Sequence, residues 1–220
     1  MPKLFLLNEK KLLNIVITSW FIVAVVGQLI FATYVILFYG KATVTGHNEK
    51  WNEVLPQGYV SGETIGNLIV GSHLLLAAVI IIGGPLQIIP KVREYAPTFH
   101  RWNGRTYVVT AIILSLTGLY MVWVRGSIGG MIQHISISIN AFLIMIAAVF
   151  TIKYAMTRKF KNHRIWAIRL FLVVNGVWFF RVGLYFWLFI NEKPVGFDPK
   201  TFEGPFLYFL TFSQYVIPLS

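Results

Sequence analysis

Polar residues in this chain are gathered into short runs, and the stretches between them are apolar over about 20 residues or more. A helix rises about 1.5 Å per residue, so about 20 residues cross a bilayer core of about 30 Å. Six stretches fit this description: about Leu12 to Phe38, Ile65 to Ile89, Tyr107 to Val124, Met131 to Tyr154, Trp166 to Ile190 and Pro205 to Ser220. The sixth is the shortest. The pattern predicts an all-α protein, an integral membrane six-helix bundle forming a single transmembrane domain over residues 1–220. The first run exceeds the apolar core of a cleaved signal peptide and is read as a span. The two longer connections, about Tyr39 to Thr64 and Asn191 to Gly204, carry Gly, Pro, Asn and aromatic residues and are expected to cap one face.

Composition supports the membrane reading. Apolar residues make up 56% of the 220 and charged residues only 12%, about half the share of a soluble domain. The mean hydropathy is +0.68. Too few charges remain to cover a water-facing surface, which excludes soluble, disordered and fibrous classes.

The net charge of +11 would suggest nucleic acid on a soluble protein. On a membrane protein it reports orientation. With the N-terminus cytoplasmic, 13 Lys and Arg fall inside and 5 outside, while six of the eight acidic residues fall outside. This positive-inside pattern predicts N and C termini in the cytoplasm and leaves no nucleic-acid partner. The bacterial inner (cytoplasmic) membrane is the expected location, and the lipid bilayer the first partner.

Few groups are left to carry chemistry. The chain has no cysteine, which removes disulfides, thiolate metal sites, iron–sulfur clusters and covalently attached c-type haem. No Asp or Glu lies within the six stretches, which argues against a carboxylate-based ion pathway. Hydrolase motifs, phosphate loops and internal repeats are absent. What remains at membrane depth is His73, His100, His134 and His163, together with Arg181; His47 falls in an outer connection and reads as solvated.

The four histidines sort by side. His73 and His134 lie toward the outer ends of spans that run inward, whereas His100 and His163 precede spans that start from the cytoplasm. Two facing pairs about 20 Å apart are expected from helical rise. Facing neutral imidazoles on neighbouring helices are the axial set of a low-spin b-type haem. Small residues flank each histidine at helical spacing, namely Ala77, Gly104, Gly130, Ser138 and Ala167. They would leave room for a macrocycle or let helices approach closely. Arg181 stands 18 residues, five turns, after His163 on the same helix face; it is expected to meet a haem propionate near the outer pair, or to reach lipid headgroups.

The run His100-Arg101-Trp102-x-Gly104-Arg105, followed by His163-Arg164-x-Trp166-x-x-Arg169, resembles a widespread group of bacterial multi-pass membrane proteins of unknown function. The resemblance covers most of spans two to five and implies no activity. The order and sidedness of the histidines also resemble the six-helix, two-haem transmembrane cytochrome b family, in which helices two and four hold one haem and helices three and five the other. The run around His100 is similar to one in ferric reductase-type membrane domains. In those cytochromes the ligands usually lie within the helices, whereas His100 and His163 are read here at span boundaries.

The leading expectation is a membrane electron carrier with one or two b haems, His73 and His134 on one and His100 and His163 on the other, exchanging electrons with quinone or a redox partner protein. A non-haem subunit or assembly factor binding lipid, quinone or protein is the alternative. A histidine-only copper or zinc site on the same four residues is a third.

Overall fold

The structure is a computed structural model, and it describes residues 2–126 and 129–220. Nine α-helices are formed among the described residues: α1 (Pro2–Val35), α2 (Lys41–Val44), α3 (Thr64–Ile88), α4 (Pro90–Tyr95), α5 (Pro97–Tyr120), α6 (Met131–Met156), α7 (Phe160–Val174), α8 (Gly176–Asn191) and α9 (Pro205–Leu219). A π-helical turn over Ile36–Gly40 joins α1 to α2, and a second over Met121–Gly126 extends α5.

Local chemistry sets the breaks. Pro90 and Pro97 open α4 and α5, where a missing N–H costs nothing and a fixed φ is pre-set for a helix. Ile89 before Pro90 is extended, with ψ of 116°, because the proline ring disfavours the helical region for its predecessor. Arg158 turns the chain between α6 and α7 with φ of 55°, in the left-handed region. At Asn175 the helix breaks and bends by 45°. Its side-chain Nδ2 donates to the Phe171 carbonyl over 2.7 Å, a local bond of the kind by which Asn competes with the helix ladder.

Side-chain hydrogen bonds fix the register of α3 against α5. Asn67 meets Arg125, His73 meets Thr117, Asn103 donates to the Gly83 carbonyl and Gln87 donates to that of His100. The partners run in opposite directions along the two helices, so they are antiparallel. Helices α6 and α7 are antiparallel by the same test, through Asn140 to Val173 and His163 to Thr151. One end of the bundle therefore carries α4 and the turn after Met156, here the α4 end. The other carries the long connections, here the cap end.

Helices α3, α5, α6 and α7 surround one core, where Ile80, Tyr107, Ala111, Ala148, Leu170 and Val173 meet. Helix α9 adds Tyr215 to it. Helix α1 packs on α3 through a second core, in which Ala32, Val35, Tyr39 and Ala78 surround the buried Trp51 of the cap. The outer faces of α1, α3 and α6 expose Leu, Ile, Val and Phe, as lipid-facing surfaces do.

Four helices are long and apolar enough to cross a membrane, or five if α7 and α8 form one bent span. The sixth expected span is α9, whose 15 residues rise only about 22 Å. The third also differs from expectation. Its helix begins at Pro97, ten residues before Tyr107, so His100 lies within α5 rather than before it. His163 likewise lies inside α7, because that helix starts at Phe160. Apolar composition marks where a helix meets lipid, whereas helical hydrogen bonding continues through polar interfacial residues.

Candidate functional site

The α4 end gathers the interfacial histidines. His163, half-buried on α7, approaches the Thr151 carbonyl of α6 through Nδ1 at 3.0 Å. A carbonyl only accepts, so Nδ1 is the donor and Nε2 carries the lone pair. His100, half-buried on α5, has a buried Nδ1 with no hydrogen-bond partner. A histidine that donates one nitrogen to a backbone carbonyl is held in the tautomer that a metal ligand uses.

Toward the cap end, His73 of α3 places Nδ1 2.8 Å from Thr117 Oγ1. The Thr117 hydroxyl donates its single proton to the Ile113 carbonyl at 2.8 Å. His73 is therefore the donor, and its Nε2 also keeps the lone pair. Gly118 leaves the ring room, since a Cβ there would stand 3.5 Å from His73 Cε1. His134 of α6 lies edge-on to Trp123, with ring centroids 5.7 Å apart. Thr117 and Trp123 both belong to the α5 rod and its π extension. His73 and His134 thus sit on helices that both pack on α5.

Several expectations need correction. Gly104 is not an open slot: a Cβ there would lie 3.0 Å from Gln87 Oε1, so the position admits a neighbouring side chain. The space beside Gly130 is taken by Glu203. Ser138 accepts from Trp123 Nε1 at 2.9 Å and donates to the His134 carbonyl. These positions serve helix approach, since interiors leave few voids. The copper or zinc expectation meets no cluster either: among the described residues no three His, Asp or Glu side chains converge as metal ligands. A hollow of about 410 Å³ opens between Val149, Lys153 and Met156, and a void of about 10 Å³ lies beside Arg125. Neither is lined by a histidine.

Arg181 does not project toward the histidines. The 45° bend at Asn175 destroys the five-turn phasing with His163. Its guanidinium lies over the Phe31 ring of α1 at 4.5 Å, and its Nε is buried without a partner. His47 is exposed but ion-paired with Glu49 at 3.1 Å.

Three polar groups escaped the sequence reading. Arg125, assigned to a loop, is buried and pairs with Glu63 at 2.8 Å while also donating to Asn67. The π turn at Met121–Gly126 carries Arg125 on the end of α5. Buried Gln28 donates to Asn175 Oδ1 at 2.5 Å, tying α1 to the helix break. Asn140 donates to the Val173 carbonyl beside the same break. A signal existed for the last two: amides inside apolar runs need partners.

No curated protein and no solved structure matches the chain. Residues 70–198, more than half the chain, match the family model described as "Predicted membrane protein (DUF2306)". That segment holds the four candidate histidines, Arg181 and all of the bundle core except the part that α9 supplies. The chain belongs to this family of predicted membrane proteins.

Proposed function

We propose that the protein is an integral membrane b-type electron carrier whose first haem is held by His100 and His163. The observation that carries this reading is the state of those two rings: His163 has Nδ1 committed to a carbonyl, and His100 has a buried ring nitrogen without a partner. Their helices, α5 and α7, both pack on α6. The donor set fits a low-spin haem, which asks for two neutral imidazoles. A second haem on His73 and His134 is the other part of the reading; their helices, α3 and α6, both pack on α5, as α5 and α7 both pack on α6. A bound haem would supply reversible one-electron chemistry between its ferric and ferrous states. The protein's own residues fix the tautomers of His163 and His73, hold the histidines on rigid helices and exclude water with the apolar core.

In the same reading the bundle has six spans. Helix α9 completes it despite its length, since its Leu207, Thr211 and Tyr215 are buried against the other helices. Both termini then lie in the cytoplasm of a bacterium, with the α4 end inward, as the distribution of Lys and Arg requires. Electrons would enter from quinone or a protein donor.

The test is the absorption spectrum of the detergent-purified protein, oxidised and then reduced. A Soret band that sharpens on reduction, with split bands near the visible α region, supports the reading. Purification from haem-replete cells without a Soret band overturns it and leaves the non-haem membrane subunit as the better account.

A further inference from the structure

The α1–α8 seam carries a charge that the histidines do not use. Arg181 lies ten residues before Asn191, the last residue of α8, or about 15 Å along the axis. Helical side chains tilt toward the N-terminus of their own helix, and for α8 that is the break at Asn175. The guanidinium rests over Phe31 at 4.5 Å.

A charged group at this depth is expensive and needs a partner. Among the described residues the ion pairs are His47–Glu49 and Arg125–Glu63, and Arg181 belongs to neither. Phe31 covers one face of the guanidinium, and the buried Nε–H donates to nothing. One turn below Phe31, Gln28 has spent its Nε2 on Asn175, and its buried Oε1 accepts nothing. The seam is otherwise aromatic. Trp20 stacks with Phe179 at 6.1 Å, Tyr34 stacks with Phe31 at 6.4 Å, and Trp178 fills the space above Gly27. Helix α1 exposes Trp20 and Tyr34 on its outer side, so the seam is reached from lipid.

We propose that this seam binds the head group of a lipid-soluble quinone, with a ring carbonyl accepting from Arg181 and the ring lying against Phe31. A quinone is neutral, planar and soluble in the bilayer interior, where a phospholipid phosphate does not descend. Its oxidised form offers acceptors for Arg181; its reduced form adds a hydroxyl that Gln28 Oε1 can accept. A fatty-acid carboxylate is the other lipid-borne source of an acceptor oxygen. The proposal goes beyond the haem reading, because binding at the seam requires no haem.

The test uses the full-length protein in quinone-free lipid nanodiscs, titrated with decylubiquinone while tryptophan fluorescence is followed, with Trp20 and Trp178 as reporters. Saturable quenching is expected, weakened about tenfold or more in Arg181→Gln, since the lost bond is charge-assisted. Phe31→Leu, which keeps an apolar side chain, is expected to weaken it as well and decides the matter if Arg181→Gln does not fold. Oleate is expected not to displace the quinone. Non-saturable quenching overturns the proposal, as do equal affinities in the wild type and the folded variants. Displacement by oleate with the same dependence on Arg181 makes the occupant a carboxylate amphiphile and also overturns it. The Soret absorbance of the same samples is read separately: its absence sinks the haem reading and leaves the quinone site standing, while its loss in Arg181→Gln alone would return Arg181 to a propionate and overturn the site.

Discussion

The two ends of the bundle hold their histidines in different ways. At the α4 end, His163 leans on a backbone carbonyl and His100 buries a nitrogen with no partner. Toward the cap end, His73 is satisfied by a side-chain hydroxyl and His134 packs on an indole. A carbonyl held by helix α6 is a fixed acceptor, whereas a threonine hydroxyl and a tryptophan face can be rebuilt by substitution. The lesson is that equal sidedness along the sequence does not give equal hydrogen bonding in space. Which helices are neighbours decides what each histidine meets.

This contrast can be broken most directly by spectroscopy. In the haem reading, His163→Ala or His100→Ala is expected to remove more than half of the Soret absorbance per protein, and His73→Ala less than half. Equal losses from all four variants would show two equivalent sites and remove the distinction between the ends. A smaller effect is expected in the core that joins the ends. Gly84→Val adds carbon atoms where even a Cβ would lie 3.0 Å from Tyr107 and 3.2 Å from Phe171, and overpacking of this kind costs about 1–3 kcal/mol. Thermal unfolding in detergent reads it, and an unchanged midpoint would mean that the four helices do not close on this core.

Thr117→Val tests the cap-end histidine. It removes the acceptor of His73 Nδ1–H and leaves a donor unsatisfied, at about 1–2 kcal/mol. The matching change at the α4 end, Thr151→Val, keeps the carbonyl that His163 uses and is expected to leave His163 in place. A histidine NMR spectrum showing the same perturbation in both variants would contradict the difference between the two acceptors. Glu63→Gln is expected to cost about 1 kcal/mol or less, because Glu63 is 55% exposed and Asn67 still holds Arg125. Smallest of all is Gly118→Ala, whose methyl would make an ordinary contact with His73 at 3.5 Å, within about 0.5 kcal/mol of the parent.

Much of the fold was legible as periods and runs. The apolar stretches of α3, α5 and α6 were located to within a few residues, except that α5 begins at Pro97 inside a polar run. The break at Asn175 was missed because Trp166 to Ile190 reads as one apolar run, and hydropathy does not register a side chain that bonds to its own helix. At the candidate site, the identity of the histidines was readable because few other ionisable groups lie at that depth. Their partners were not. Arg181 was expected near His134 and lies instead over Phe31, while Arg125 was counted as a loop charge and is buried in an ion pair.

The sequence by itself determined membrane residence, an all-helical chain and the short roster of polar groups at depth, since these follow from composition and from the length of apolar runs measured against a bilayer. The tertiary structure alone decided which of those groups are partners. Side-chain direction depends on helix phase, and phase is reset by a 45° bend at Asn175 and by π turns after Val35 and Tyr120. Helix order around the core then gives His73 a threonine of α5, His163 a carbonyl of α6 and Arg181 the Phe31 ring of α1.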